Sequence, residues 1–232
     1  MKTAILCLFF CCTASSTAIA QLSQLEKHYP GGSEQFWIDF QGGFSFPSST
    51  ATAKTFGTTL IKINLNSDGV PATILFLNQI DIDVVKSITR AFTKISRNWS
   101  EFPSESELFI SLTFSYGEDY REVIGIDKSR LTKDFAEFVY LVKTNDDTSI
   151  NYKKDYLHLV KSAKKAYKKS NFKMAKQQYS RLIAIDPYQL DYYKRRIELE
   201  AFSGSKRYAC TDIRVMKDFL NYKGAIPLHG CD

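Results

Sequence analysis

The side chains able to do chemistry are few and scattered. His28, His158 and His229 are the only histidines, and none stands at a spacing used for metal ligation or nucleophilic catalysis. His158 has Asp155 three residues before it, and such a pair on a helix is ordinarily surface pairing and not a catalytic dyad. Asp81 and Asp83 resemble paired carboxylates, yet both sit where a helix start favours negative charge. Gly31-Gly32 and Gly42-Gly43 are isolated pairs, read as turns and not as phosphate cradles. No nucleophile elbow, P-loop or zincin pattern occurs. The sequence therefore predicts a chain that binds and does not catalyse, with no cofactor and no metal.

The first twenty residues point to export, and the cysteines take their meaning from it. Lys2 supplies a positive charge, an apolar run extends from Ala4 to Cys12, and small polar residues lead to Ala18-Ile19-Ala20. That order is a signal peptide cleaved after Ala20; a retained anchor is the alternative, but the apolar core is too short for one. The expectation is a soluble periplasmic protein, exported through the inner membrane of a Gram-negative cell, with no stable membrane insertion. Cleavage removes Cys7, Cys11 and Cys12 and leaves Cys210 and Cys231, an even pair in an oxidising compartment. A disulfide closing that loop would contribute about 3 kcal/mol; two free buried thiols are the alternative.

The elements that must position any site fall into two halves of opposite charge. Residues 21–148 carry 12 Lys and Arg against 17 acids, and residues 149–232 carry 18 against 8. The asymmetry argues for two units, and the basic half reads as a solvated helical face with no nucleic-acid partner. In the first half, Ser33 and Glu34 start a helix carrying Phe36, Trp37 and Phe40. Ile61, Ile63 and Leu65 alternate with polar residues as a strand. Asn66-Ser67-Asp68-Gly69 turns the chain into a return strand from Pro71 to Leu77. Val85, Ile88, Phe92, Ile95 and Trp99 form one helical stripe, and Leu108, Ile110, Leu112, Phe114 and Tyr116 alternate as the strongest strand signal. The expected fold class is α+β: a small antiparallel sheet with helices packed on it, followed by an all-α helical domain.

The order helix, hairpin, helix, strand, opened by Tyr29-Pro30-Gly31-Gly32, resembles the C-terminal domain of TonB-type energy transducers over roughly residues 25 to 117. Phe46-Pro47, the strand leading into Asp68-Gly69-Val70, and Asp81-Ile82-Asp83 running on to Trp99 add to the likeness. The sequence departs from that family at Trp99-Ser100-Glu101-Phe102-Pro103, where Trp-x-Pro-Gly is usual, and it lacks an anchoring helix and proline-rich linker. The resemblance implies peptide capture by strand addition and not energy transduction. Under it, Leu108 to Tyr116 is the last strand, at a sheet edge. Phe109, Ser111, Thr113 and Ser115 then form that strand's second face, either as a partner-binding edge or as a solvated surface.

The second half repeats with a period of 34: Ser170 with Gly204, Ala175 with Ala209, Tyr179 with Ile213. Ala163, Phe172, Ala175, Tyr179 and Pro187 resemble the packing positions of a tetratricopeptide repeat, with a second, degenerate copy reaching about residue 222. A groove lined by Lys164, Tyr167, Lys168, Arg181 and Tyr193 would favour an acidic ligand, with repeat core as the alternative for its tyrosines. Between the halves, Thr132 to Lys143 reads as a bridging helix carrying Phe135, Phe138, Val139 and Leu141, and Asn145-Asp146-Asp147 as a loop. The expected partner is a protein or peptide, of the outer membrane or periplasm, and the rival reading is a self-associating envelope protein that forms a homodimer.

Overall fold

The computed structural model describes residues 25–27, 29–67, 71–78, 80–99, 106–129, 131–133, 135–142, 150–204, 206–224 and 231. The residues read as a signal peptide, the Asp68-Gly69 turn, His28, His229 and Asn145-Asp146-Asp147 lie outside them. The chain is α+β: a mixed sheet of four strands, with helices on both of its faces.

Helix α1, Gly32–Gly43, begins where Gly31 adopts φ 83°, a left-handed turn that the missing Cβ makes cheap. It buries Phe36 and Phe40. A short helix α2 spans Ser48–Thr52. Helix α3, Ile82–Ile95, is capped by Asp81, whose carboxylate accepts the Asp83 N–H at 2.8 Å. Val84, Ile88, Ala91, Phe92 and Ile95 line its buried face at three- and four-residue spacing. Both α1 and α3 pack on one face of the sheet.

Strands β1 (Gly57–Leu65), β2 (Pro71–Phe76), β3 (Ser106–Ser115) and β4 (Ala136–Leu141) stand in the order β2-β1-β3-β4. The first two pairings are antiparallel, and β4 lies parallel to β3 with Leu112 opposite Phe138. This corrects the reading of residues 132–143 as a helix. Phe138 and Tyr140 point to the α1 side, where Phe138 stacks on Trp37 at 4.9 Å, while Glu137 turns to the other face. That alternation is the period of a strand, and the three-residue apolar spacing in the segment is incidental to it.

The second face of the sheet carries the helical half. Helix α4, Tyr120–Ile124, is capped by Asp119 and ends at Gly125 with φ 77°. Then α5 (Tyr152–Lys168), α6 (Phe172–Ile185), α7 (Leu190–Phe202) and α8 (Lys206–Phe219) pack each on the next. Asn151 and Asn171 cap α5 and α6 through the N–H groups of Lys154 and Met174. Leu60, Phe109 and Phe135 from the sheet side join Ile183, Tyr188, Tyr193, Ile213, Met216 and Phe219 in one core, so the acidic and basic halves bury apolar area against each other. Between α7 and α8, Arg196 makes a two-pronged ion pair with the buried Asp212 at 2.7 and 2.5 Å. Cys210 and Cys231 are joined as a disulfide. Among the described residues, no helix is long and apolar enough to cross a membrane.

Candidate binding site

The four residues expected on an open edge are inside the molecule. Strand β3 runs between β1 and β4, so both of its edges are paired. Phe109, Ser111, Thr113 and Ser115 are all buried, each under 5 % exposed. Phe109 packs on Phe135 and Phe219. Two of the three hydroxyls meet tyrosines from the helical side: Ser111 lies 3.3 Å from the Tyr188 hydroxyl, and Ser115 lies 3.1 Å from that of Tyr152. Thr113 lies 2.8 Å from Thr58, and Thr58 lies 2.8 Å from the Tyr120 hydroxyl. The Tyr120 hydroxyl donates to the Ile185 carbonyl at 2.6 Å. Each hydroxyl has one proton, so the chain of donation runs from Thr113 through Thr58 and Tyr120 to Ile185.

This seam has a structural purpose. The C-terminus of α6 is buried against the sheet, and the last carbonyls of a helix have no partner within it. Ile185 receives the Tyr120 hydroxyl, and Ile183 receives the Asn78 side-chain amide at 3.3 Å. Asn78 also donates to the Thr58 carbonyl and accepts the Leu60 N–H, each at 2.7 Å. Gly57 permits the approach, because a Cβ there would stand 2.5 Å from the Ala184 carbonyl oxygen. Burial pushes the Tyr188 hydroxyl up to about 12 and the Tyr120 hydroxyl well above its ordinary value. Both stay neutral and hold the layers together at neutral pH.

Among the described residues, the outer strands of the sheet are β2 and β4, neither paired on its far side, and they differ. Strand β2 begins at Pro71 and its pairing with β1 is irregular at Asn64 and Leu65; proline and irregular register both discourage further pairing. Strand β4 has neither. The Val142 N–H donates to the Ser115 carbonyl at 2.7 Å. In a parallel ladder alternate residues bond to the same side, so Ala136, Phe138 and Tyr140 direct their peptide groups at β3. Those of Glu137, Val139 and Leu141 face away from it.

Beside this edge runs a groove of about 640 Å³, lined by Phe44, Phe46, Ala51, Val139, Tyr140 and Leu141. Its aromatic walls are braced: Phe44 meets Tyr140 at 5.0 Å, and Phe44 meets Phe114 of the core at 5.4 Å. At the other end of β4, Glu137 is held by Arg121 at 3.1 Å and by Lys128 at 2.6 Å. Arg121 is also gripped by Asp119. Burial raises the Asp119 carboxyl, but the Arg121 hydrogen bonds and charge outweigh it and hold the group below its usual value. The register of β4 is therefore fixed at both ends.

The residues predicted to line a helical groove do not converge. Tyr193 is fully buried and donates to the Pro187 carbonyl at 3.0 Å, so it is core and not groove. Tyr167 binds Glu198 of α7 at 2.8 Å. Lys164 and Lys168 are exposed along α5. Arg181 alone of the set enters a polar recess of about 540 Å³, where Lys54, Lys154, Asp155, His158 and Gln178 also stand. The Gln178 side-chain oxygen has no partner there among the described residues. His158 and Asp155 thus line one recess, a neighbourhood that their spacing on α5 foretold. The groove at β4 was missed because β4 itself was read as a helix; the alternation of Phe138 and Tyr140 against Glu137 and Val139 was the signal that marks it.

No family model, curated protein or solved structure matches this chain. The geometry carries the functional argument.

Proposed function

We propose that this chain is a protein-binding module that captures an extended segment of a partner along β4. The observation that carries the reading is the outward set of peptide groups at Glu137, Val139 and Leu141, bordered by an aromatic groove with fixed walls. An added strand would gain main-chain hydrogen bonds from those groups and side-chain contacts from Phe44, Phe46 and Tyr140. Helix, hairpin, helix and strand follow one another from α1 to β3, which supports a TonB C-terminal-like unit extended by one parallel strand. The antiparallel pair α5 and α6, closed before Pro187, supports a tetratricopeptide-like unit behind it. In this reading the chain is an exported, periplasmic adaptor that works by contact and not by catalysis, and it does not transmit force.

The test begins with extended peptides selected on the immobilised protein from a random displayed library. Their affinity is then measured by calorimetry against variants. Val139→Pro removes an outward N–H without breaking a β3–β4 hydrogen bond. It should weaken binding about tenfold, whereas Val139→Thr should bind like the original chain. Peptides that bind Val139→Pro undiminished but fail on Arg181→Glu would move the site to the helical recess and contradict the proposal. A concentration-dependent dimer that Val139→Pro abolishes would favour self-association through the same edge.

A further inference from the structure

Away from β4, one end of the helical layer combines two properties that rarely coincide on a surface without purpose. From Tyr152 to Ile185, helices α5 and α6 and the turn between them carry nine lysines and Arg181 against a single acid, Asp155. Lys176 pairs with Glu200. Lys153, Lys154, Lys161, Lys164, Lys165, Lys168, Lys169 and Lys173 make no ion pair among the described residues. Lys154, Leu157, Lys161, Lys165 and Lys168 recur at spacings of three and four, opposite the buried Leu159, Ala163 and Ala166. They form one basic face along the whole of α5, and Leu157 stands exposed within it.

That face leads to the end where α5 stops, α6 starts and α7 stops. There Phe202 is 70 % exposed, Met174 44 % and Phe172 40 %. The Phe172 and Phe202 rings stack on each other at 5.4 Å, nearly parallel, in solvent. Lys168, Lys169 and Lys173 lie within four residues of Phe172 in the chain, all exposed. Exposed aromatic and thioether side chains cost free energy in water, and unpaired like charges repel one another. Both costs vanish where an anionic surface meets an apolar interior.

We infer that this end of the helical layer docks on an anionic lipid surface, with Phe172, Met174 and Phe202 entering the headgroup region and the α5 lysines lying over the phosphates. A basic face alone would give a weak, salt-sensitive contact, and three apolar side chains alone would give a marginal one; peripheral binding generally needs two such signals together. The apolar cluster is what favours a lipid surface over an acidic protein or a nucleic acid, because its shallow insertion requires no complementary pocket. The inference stands independently of strand capture at β4, since the two surfaces share no residue.

The test is sedimentation of the full chain with vesicles of phosphatidylcholine containing phosphatidylglycerol, against phosphatidylcholine alone. Binding is expected only to the anionic vesicles and should weaken as salt rises. Lys168→Glu with Lys169→Glu should reduce partition by roughly 25-fold or more. Phe202→Trp places a reporter far from Trp37 and Trp99. Its emission should shift to the blue on binding and be quenched by brominated lipid. All substituted side chains are exposed, and an unchanged thermal melt checks the fold of each variant. No partition at low salt, partition unaltered by the lysine reversals, or an emission at position 202 indifferent to lipid would each overturn the inference. So would binding to a polyanion such as heparin in a protein that ignores anionic vesicles.

Discussion

The two faces of β3 are built from opposite chemistries and solve opposite problems. On one face Leu108, Ile110, Leu112 and Phe114 enter an apolar core under α1 and α3. On the other, Ser111, Thr113 and Ser115 are as thoroughly buried, yet each carries a hydroxyl. The first face needs only volume and packing. The second needs every oxygen matched, because a buried hydroxyl without a partner costs more than its bond returns. Tyr188 and Tyr152 supply partners for Ser111 and Ser115, and Thr58, itself bonded to Tyr120, supplies one for Thr113. A small polar residue in a strand is therefore not a sign of solvent when tyrosines approach from the facing layer.

The contrast can be broken most severely on the apolar side. Phe114→Ala leaves a cavity among Phe44, Phe46 and Tyr140 and should cost about 3–5 kcal/mol in urea unfolding. The hydroxyl side should give way in alkali. Tyr188 is pushed up to about 12 by burial against an ordinary value of 10.0. A group raised in the folded state stabilises fully below its unfolded value and loses that contribution as pH rises through its folded one. Between pH of about 10 and about 12 the chain should lose about 3 kcal/mol through Tyr188. Tyr120 shifts in the same direction. Unfolding midpoints measured across that window should fall, and Tyr188→Phe should flatten the fall. The smallest effect is Tyr120→Phe, which strands the Ile185 carbonyl and should cost about 1–3 kcal/mol.

Much of this was legible in the sequence, and the part that was not has a physical cause. Alternation placed β1 and β3, the Asn66-to-Gly69 turn placed β2, the three- and four-residue stripe placed α3, and Asp81 with Asp83 marked its start. Pro187 marked the end of α6, and the residual cysteine pair marked the disulfide. Strand β4 was obscured because Phe135, Phe138, Val139 and Leu141 satisfy a helical period, while the strand period runs through Phe138 and Tyr140 on one face. With β4 hidden, β3 had to be the edge, and its hydroxyls were read as exposed, to a partner or to water. The tyrosines that bury them lie far away in sequence, 77 residues on in the case of Ser111 and Tyr188, where no local pattern can announce a pairing. For the binding site, Arg181 was visible as a candidate while His158 was read as surface pairing with Asp155, and their shared recess depends on how α5 meets α6.

The sheet's two outer strands repeat the lesson in a form that bears on function. Strand β2 carries a proline and an irregular register and discourages pairing; β4 carries neither and stands beside an aromatic groove. The most direct test is residue-resolved amide hydrogen exchange, with and without a selected extended peptide. Strand capture predicts that the Val139 and Leu141 amides exchange readily in the free chain and become protected in the complex. Unchanged exchange along β4, with new protection at the α5 recess around Lys154 and His158, would contradict it.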